Sequence, residues 1–146
     1  MVTIRPATPS DIPAITSLGL EALMNDPYPN LVISPEKVEK MAIECVSAAT
    51  NFCWVAEEDG EVVAAVSALV HDMMFYERKQ ATVVQFYTRK SGAGIKLIRE
   101  FLGWARGRRV IKMICFTLEC NADPRIGKLL RRLGLSEALP VYMELR

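Results

Sequence analysis

Arg89-Lys90-Ser91-Gly92-Ala93-Gly94-Ile95-Lys96 is the stretch that decides how this chain folds. In front of it, Ala81-Thr82-Val83-Val84-Gln85-Phe86-Tyr87 is rich in β-branched and aromatic residues and reads as a strand. Behind it, Gly92 to Arg109 sets Ile95, Ile98, Leu102 and Ala105 at helical spacing, with Phe101 and Trp104 broadening the face. A glycine-bearing turn from strand into helix lets backbone N–H groups approach an anion, and the helix N-terminus adds roughly half a positive charge. The stretch therefore predicts a phosphate-binding loop rather than a bare turn. It is neither a P-loop, since no Gly-Lys-Ser/Thr follows a first glycine, nor a dinucleotide fingerprint, since Leu97 stands at the third glycine.

Working outward, Val62 to Val70 is nearly all apolar and reads as a strand deep in a sheet, joined to Phe52–Glu57 by an Asp59-Gly60 hairpin turn. Val2 to Arg5 alternates as a first strand, closed by Pro6. Thr8-Pro9-Ser10-Asp11 and Ser34-Pro35-Glu36-Lys37 open helices running to about Met24 and Ala49, separated by a break at Asn25 to Asn30. The first should turn Ile12, Ile15, Leu18 and Ala22 inward, the second Val38, Met41, Cys45 and Val46. His71 to Lys79 reads as a polar link, Ile111 to Leu118 as a strand, and Asp123-Pro124 opens a helix carrying Ile126, Leu129, Leu130 and Leu133 before Gly134 stops it. Val141-Tyr142-Met143-Glu144-Leu145 reads as a closing strand. The order β-α-α-β-β-β-α-β-α-β predicts an α/β (α+β) fold. Residues 1–146 form one domain, a mixed twisted central sheet of six to seven strands with helices on both faces.

The chain is 51% hydrophobic and 24% charged with a net charge of +1, which argues against disorder and against any global pull toward nucleic acid or anionic membrane. No apolar run approaches a bilayer span and the N-terminus carries no leader-like run, so a cytoplasmic location is expected. Cys45, Cys53, Cys115 and Cys120 include no C-x-x-C pair, and the sole histidine, His71, stands apart from them. Reduced thiols are expected, with no metal site.

The loop also matches Q/R-x-x-G-x-G/A, with Arg89, Gly92 and Gly94 at the three places. Together with the Arg5-Pro6-Ala7-Thr8-x-x-Asp11 lead-in, the Glu58-Asp59-Gly60-Glu61 hairpin and the closing Arg132-Leu133-Gly134-Leu135, nearly the whole chain resembles the GNAT N-acetyltransferases, as a small bacterial or prophage-type member. The resemblance implies acetyl-CoA as co-substrate, its pantetheine lying where the strands Thr82–Phe86 and Lys112–Thr117 splay apart. It implies a backbone N–H among Val84, Gln85 and Phe86 at the thioester carbonyl, and Arg89, Lys90, Ser91, Gly92, Ala93, Gly94 and Ile95 around the pyrophosphate. Lys96, Arg125 or Lys128 would reach the 3′-phosphate, or simply form a solvated helix face.

The family's last-helix tyrosine, which protonates the departing thiolate, falls at Leu130 here; its asparagine falls at Asp123, with Asn121 as a shifted substitute at the cofactor. Tyr142 and Tyr87 are the candidate replacements, ahead of Tyr28 and Tyr76. His71, with Asp72 and Glu77 nearby, is the candidate base, because histidine is the residue type whose unperturbed pKa, about 6.5, suits proton transfer at neutral pH. Cys120 has no partner to make it a nucleophile. Met73-Met74-Phe75-Tyr76, with Tyr28 and Leu31, reads equally as an acceptor pocket or as the surface of a homodimer. The expected reaction is acetyl transfer to a small-molecule or peptide amine by direct attack in a ternary complex. The competing expectation is a non-catalytic CoA-binding or protein-interaction module on the same fold.

Overall fold

The long apolar run lies where its composition requires, at the middle of the sheet: β3 (Glu61–Asp72) pairs antiparallel with β2 (Phe52–Glu58) on one side and β4 (Lys79–Thr88) on the other. β1 (Thr3–Pro6) pairs antiparallel with β2, and β5 (Ile111–Phe116) pairs parallel with β4, giving the order β1-β2-β3-β4-β5. The computed structural model describes residues 1–24, 28, 30–118, 122–138 and 141–146. The helices are α1 (Ile12–Met24), entered through a 3-10 turn at Pro9–Asp11, α2 (Pro35–Ser47), α3 (Ala93–Arg106) and α4 (Pro124–Arg132).

One face of the sheet buries Phe52, Ala64, Val66, Ala81 and Val83 against Leu97, Ile98, Phe101 and Leu102 of α3 and Leu130 of α4. The other buries Val55 and Ala65 against Ile15 and Leu18 of α1 and Ala42 and Cys45 of α2. Helices on both faces thus agree with the sequence. On α3 the predicted Ile98, Phe101, Leu102 and Ala105 are buried, whereas Ile95 is exposed and Leu97, which the spacing did not pick out, is buried.

The lead-in Arg5 to Asp11 is an ion-pair lock. Arg5 donates to both oxygens of Asp11, at 2.7 and 2.9 Å, and to Glu57 at 2.7 Å, tying β1 to β2 and to the start of α1. Asp11 is buried, accepts the Thr8 N–H at 2.8 Å, and has its carboxyl pulled down to about 2, chiefly by the Arg5 hydrogen bonds. Across the sheet the hairpin turn is as predicted, with Asp59 and Gly60 at φ 52° and 80°.

Two expectations need correction. The described residues form five strands rather than six to seven, and Val141–Leu145 is not among them. A strand needs a neighbour for its N–H and C=O groups; this segment has none among the described residues, and Tyr142 is 92% exposed. His71 and Asp72 belong to β3 and Lys79 to β4, so the predicted link is shortened by strand pairing of His71 with Gln80 and Asp72 with Lys79.

Candidate active site

β4 is paired unequally along its two edges. With β3 the pairing runs from Asp72↔Lys79 to Ala64↔Thr88, but with β5 it ends at Val83↔Phe116. The ladder with β3 shifts at Ser67/Ala68, where Val84 is the extra residue, and this bulge resets the alternation of β4. Arg89 donates its N–H to Val63 O at 2.8 Å. Counting back by twos, the amides of Tyr87 and Gln85 face β3, and those of Thr88 and Phe86 face the opposite side, where β5 has ended. The Phe86 N–H thus has no strand partner among the described residues and points toward the space between the two strands. The Gln85 amide is committed to β3, and its side chain donates to Ile15 O at 2.9 Å.

Beyond Thr88 the chain turns sharply, held by Thr88 Oγ1 donating to Lys90 O at 2.6 Å. Gly92 caps α3 at φ 85°, a left-handed conformation that side chains resist. Gly94 is required for a different reason: a Cβ there would lie 2.7 Å from the Phe86 ring, so helix and strand meet through bare backbone. Of the N–H groups from Ser91 to Ile95, only that of Ala93 reaches a backbone carbonyl among the described residues, Lys90 O at 3.4 Å. The rest are donors gathered at the positive end of a 14-residue helix, and nothing lies within 4 Å of where a Gly92 side chain would project. This cradle fits a diphosphate.

The basic side chains of the loop are already engaged. Arg89 pairs with Glu21 of α1, Nε donating to Oε2 at 3.0 Å, and Lys90 pairs with Glu58. The Arg89 hydrogen bond, with Tyr87 adding to it, holds the Glu21 carboxyl below its ordinary range, and the Arg89 guanidinium is raised in return. Tyr87 is therefore turned toward α1, away from Phe86, which packs edge-on against Phe116 at 5.5 Å. Lys96 donates to Val2 O at 3.1 Å, and Arg125 binds Asp123 beside it. Leu130, at the tyrosine position, is 6% exposed in the core. Asn121 and Cys120 lie outside the described residues, as do Asn25, Asp26, Pro27 and Pro29 of the break.

His71 is exposed at the end of β3, its Nε2 3.0 Å from Thr82 Oγ1 and its Nδ1 3.1 Å from Asp72 O. Gln80 Nε2 completes the row, 3.0 Å from Thr82 Oγ1 and 3.2 Å from Cys115 Sγ. Neither Thr82 nor Gln80 was singled out from the sequence, although the alternation Gln80-Ala81-Thr82-Val83 puts both on one face of β4. Met74, Phe75 and Tyr76 are exposed, and Tyr76 borders a hollow of about 460 Å³ with Asp72, Glu77 and Lys79, at the far end of β4 from the loop. Cys45 and Cys53 are buried thiols pushed up by desolvation to about 12 and about 11, and Cys115 is raised for the same reason. Among the described residues no three His, Cys, Asp or Glu side chains gather as a metal site, and no helix is long and apolar enough to cross a membrane.

The family model for the acetyltransferase (GNAT) family matches residues 19–134. Among solved structures, a predicted acetyltransferase with acetyl-CoA from Clostridium acetobutylicum superposes with a TM-score of 0.78 at 17% identity, covering 100% of this chain and 96% of that one. The aminoglycoside N-acetyltransferase AAC(6')-Iy in complex with CoA gives 0.74 at 14% identity, covering 100% and 95%. An aminoglycoside acetyltransferase from an uncultured soil metagenomic sample, in complex with sisomicin, gives 0.66 at 14%, covering 99% and 97%. No curated protein matches the chain. At these identities the likeness establishes the fold.

Proposed function

Because the chain belongs to the acetyltransferase (GNAT) family, we propose that it transfers an acetyl group from acetyl-CoA to a small-molecule or peptide amine, which attacks the bound thioester directly in a ternary complex. The observation that carries this reading is the half-open edge of β4, which leads straight into the amide cradle of Gly92. The pyrophosphate would sit on the amides of Ser91 to Ile95, with Arg89 and Lys90 released from their carboxylates to flank it. The thioester would hang in the gap beside the bulge at Val84, its carbonyl accepting the Phe86 N–H, which stabilises the developing oxyanion. Asn121 is assigned to the cofactor by the family pattern alone.

Of the proton-handling candidates, Tyr142 stands in solvent and Tyr87 is held at Glu21, which leaves His71 as the group for the acceptor amine. The thiolate of CoA leaves without a side-chain acid, as a good leaving group can. The reading assigns residues 1–146 to one acetyltransferase domain working in the cytoplasm without a nucleic-acid or membrane partner; a homodimer is compatible with it. The aminoglycoside acetyltransferases among the similar structures support a substrate panel that begins with aminoglycosides.

Leu130 favours a second reading, a CoA-binding module that has lost turnover, because the core position it fills offers no hydroxyl. Calorimetry with acetyl-CoA and a thiol-release assay across aminoglycosides, polyamines and peptides separate the two. Saturable binding with steady thiol release for at least one amine is expected; binding without release for any amine selects the second reading.

A further inference from the structure

We propose that Thr82 and His71 form a directed proton relay for the acceptor amine, Thr82 meeting the amine and His71 taking the proton through it. The proposal rests on the acetyl-transfer reading and adds to it the residue that touches the nucleophile and the direction in which the proton runs.

The direction follows from the hydrogen bonds. A backbone carbonyl only accepts, so the contact of His71 Nδ1 with Asp72 O at 3.1 Å requires the imidazole hydrogen on Nδ1. In the neutral ring Nε2 is then a bare acceptor, and its partner at 3.0 Å, Thr82 Oγ1, must donate to it. The lone pairs of Thr82 face Gln80, whose Nε2 donates to the same oxygen at 3.0 Å and is steadied by Cys115 Sγ at 3.2 Å. Each member of the row is thereby given one role.

The position fits as well. Thr82 pairs with Cys115 one step before the last β4–β5 pair, Val83↔Phe116, so its hydroxyl lies at the mouth of the gap. On this face α1 and α2 cover Val55, Ala65 and Ser67 but leave the β4–β5 end open, with Val84 and Met113 40% and 41% exposed. An amine entering from that side meets Thr82 before it meets the thioester. The charged groups beside His71 are Asp72 on its own strand and Lys79 across on β4, which binds the Asp72 carboxylate at 2.8 Å.

In the reaction the amine nitrogen bonds to the acetyl carbon and the C–S bond breaks, its electron pair leaving with CoA as thiolate. One N–H proton of the amine passes to Thr82 Oγ1 while the Thr82 hydrogen passes to His71 Nε2. The resulting imidazolium is exposed and returns its proton to water.

Two measurements test this. His71 is the only histidine, so nitrogen NMR of the labelled chain reads a single imidazole. The Nδ1–H tautomer is expected in the wild type, with a shift toward Nε2–H in Thr82→Val. In steady-state assays Thr82→Val should lower kcat about a hundredfold, with acetyl-CoA affinity unchanged and Thr82→Ser recovering to within a few-fold. His71→Asn should lower kcat to a similar extent with acetyl-CoA affinity unchanged, and should add little further loss in the Thr82→Val background. A wild-type Nε2–H tautomer, or Thr82→Val turning over at the wild-type rate with the same pH profile, overturns the relay while leaving acetyl transfer standing. Acetyl-CoA binding without turnover of any amine by the wild type overturns both.

Discussion

The two ends of the sheet solve opposite problems. At the β1–β2 end the charged groups are tied to one another: Arg5 is shared between Asp11 and Glu57, and Asp11 also receives the Thr8 amide. At the β4–β5 end the ladder stops at Val83↔Phe116, and the amides of Phe86, Ser91, Gly92 and Gly94 have no backbone partner among the described residues. A saturated network can only hold the fold together, whereas unpaired donors on a rigid frame are what a ligand can use. Stability and chemistry are thus separated along one sheet, and substitutions at the two ends should be read by different instruments.

The largest effect is expected at the open end. Gly92→Glu places a carboxylate among the free amides and should weaken CoA binding at least about a hundredfold, close to 3 kcal/mol, in calorimetry. Its left-handed φ adds a stability cost of about 1 kcal/mol. Gly92→Ala carries the backbone cost without the charge, so a comparable loss of affinity in that variant would show that the loop's shape, rather than its anion cradle, is what matters.

At the closed end Asp11→Asn should leave CoA affinity untouched and cost about 2 kcal/mol of stability at neutral pH. The Asp11 carboxyl titrates at about 2 in the folded chain and lies higher when unfolded, so its contribution is complete above about pH 4 and disappears as pH falls through 2. Denaturation curves of wild type and variant should therefore converge between those values. Curves that stay parallel would mean the Arg5 lock holds through shape rather than charge.

The same contrast explains what could be read in advance. The Asp59-Gly60 turn, the Ser34 cap on the Lys37 amide and the Arg89–Gly94 loop are local, each set by residues within a few positions of one another. Along α3 the spacing picks out Ile98, Phe101, Leu102 and Ala105 correctly but fails at Ile95 and omits Leu97, because which residues at the start of the helix are covered is decided by the sheet it packs on. Val141–Leu145 has the composition of a strand, yet pairing is a property of two segments and the sequence of one cannot supply it. The His71–Thr82 contact joins residues eleven positions apart on neighbouring strands, visible only once the register is known.

The smallest predicted effect probes the boundary between the two ends. Arg89 belongs to the loop but is tied to Glu21, so on the proposed reading a diphosphate would compete with that carboxylate for the guanidinium. Both partners are largely solvated, and exposed pairs of this kind contribute little to folding. Glu21→Gln should accordingly leave the melting temperature unchanged while tightening CoA binding about two- to threefold at low salt, since the competing charge is gone. At 1 M salt, where the screening length is about 3 Å, the gain should vanish. A melting temperature that drops instead would place Arg89–Glu21 with the Arg5 lock, as part of the frame, and would leave the backbone amides as the sole anion donors of the loop.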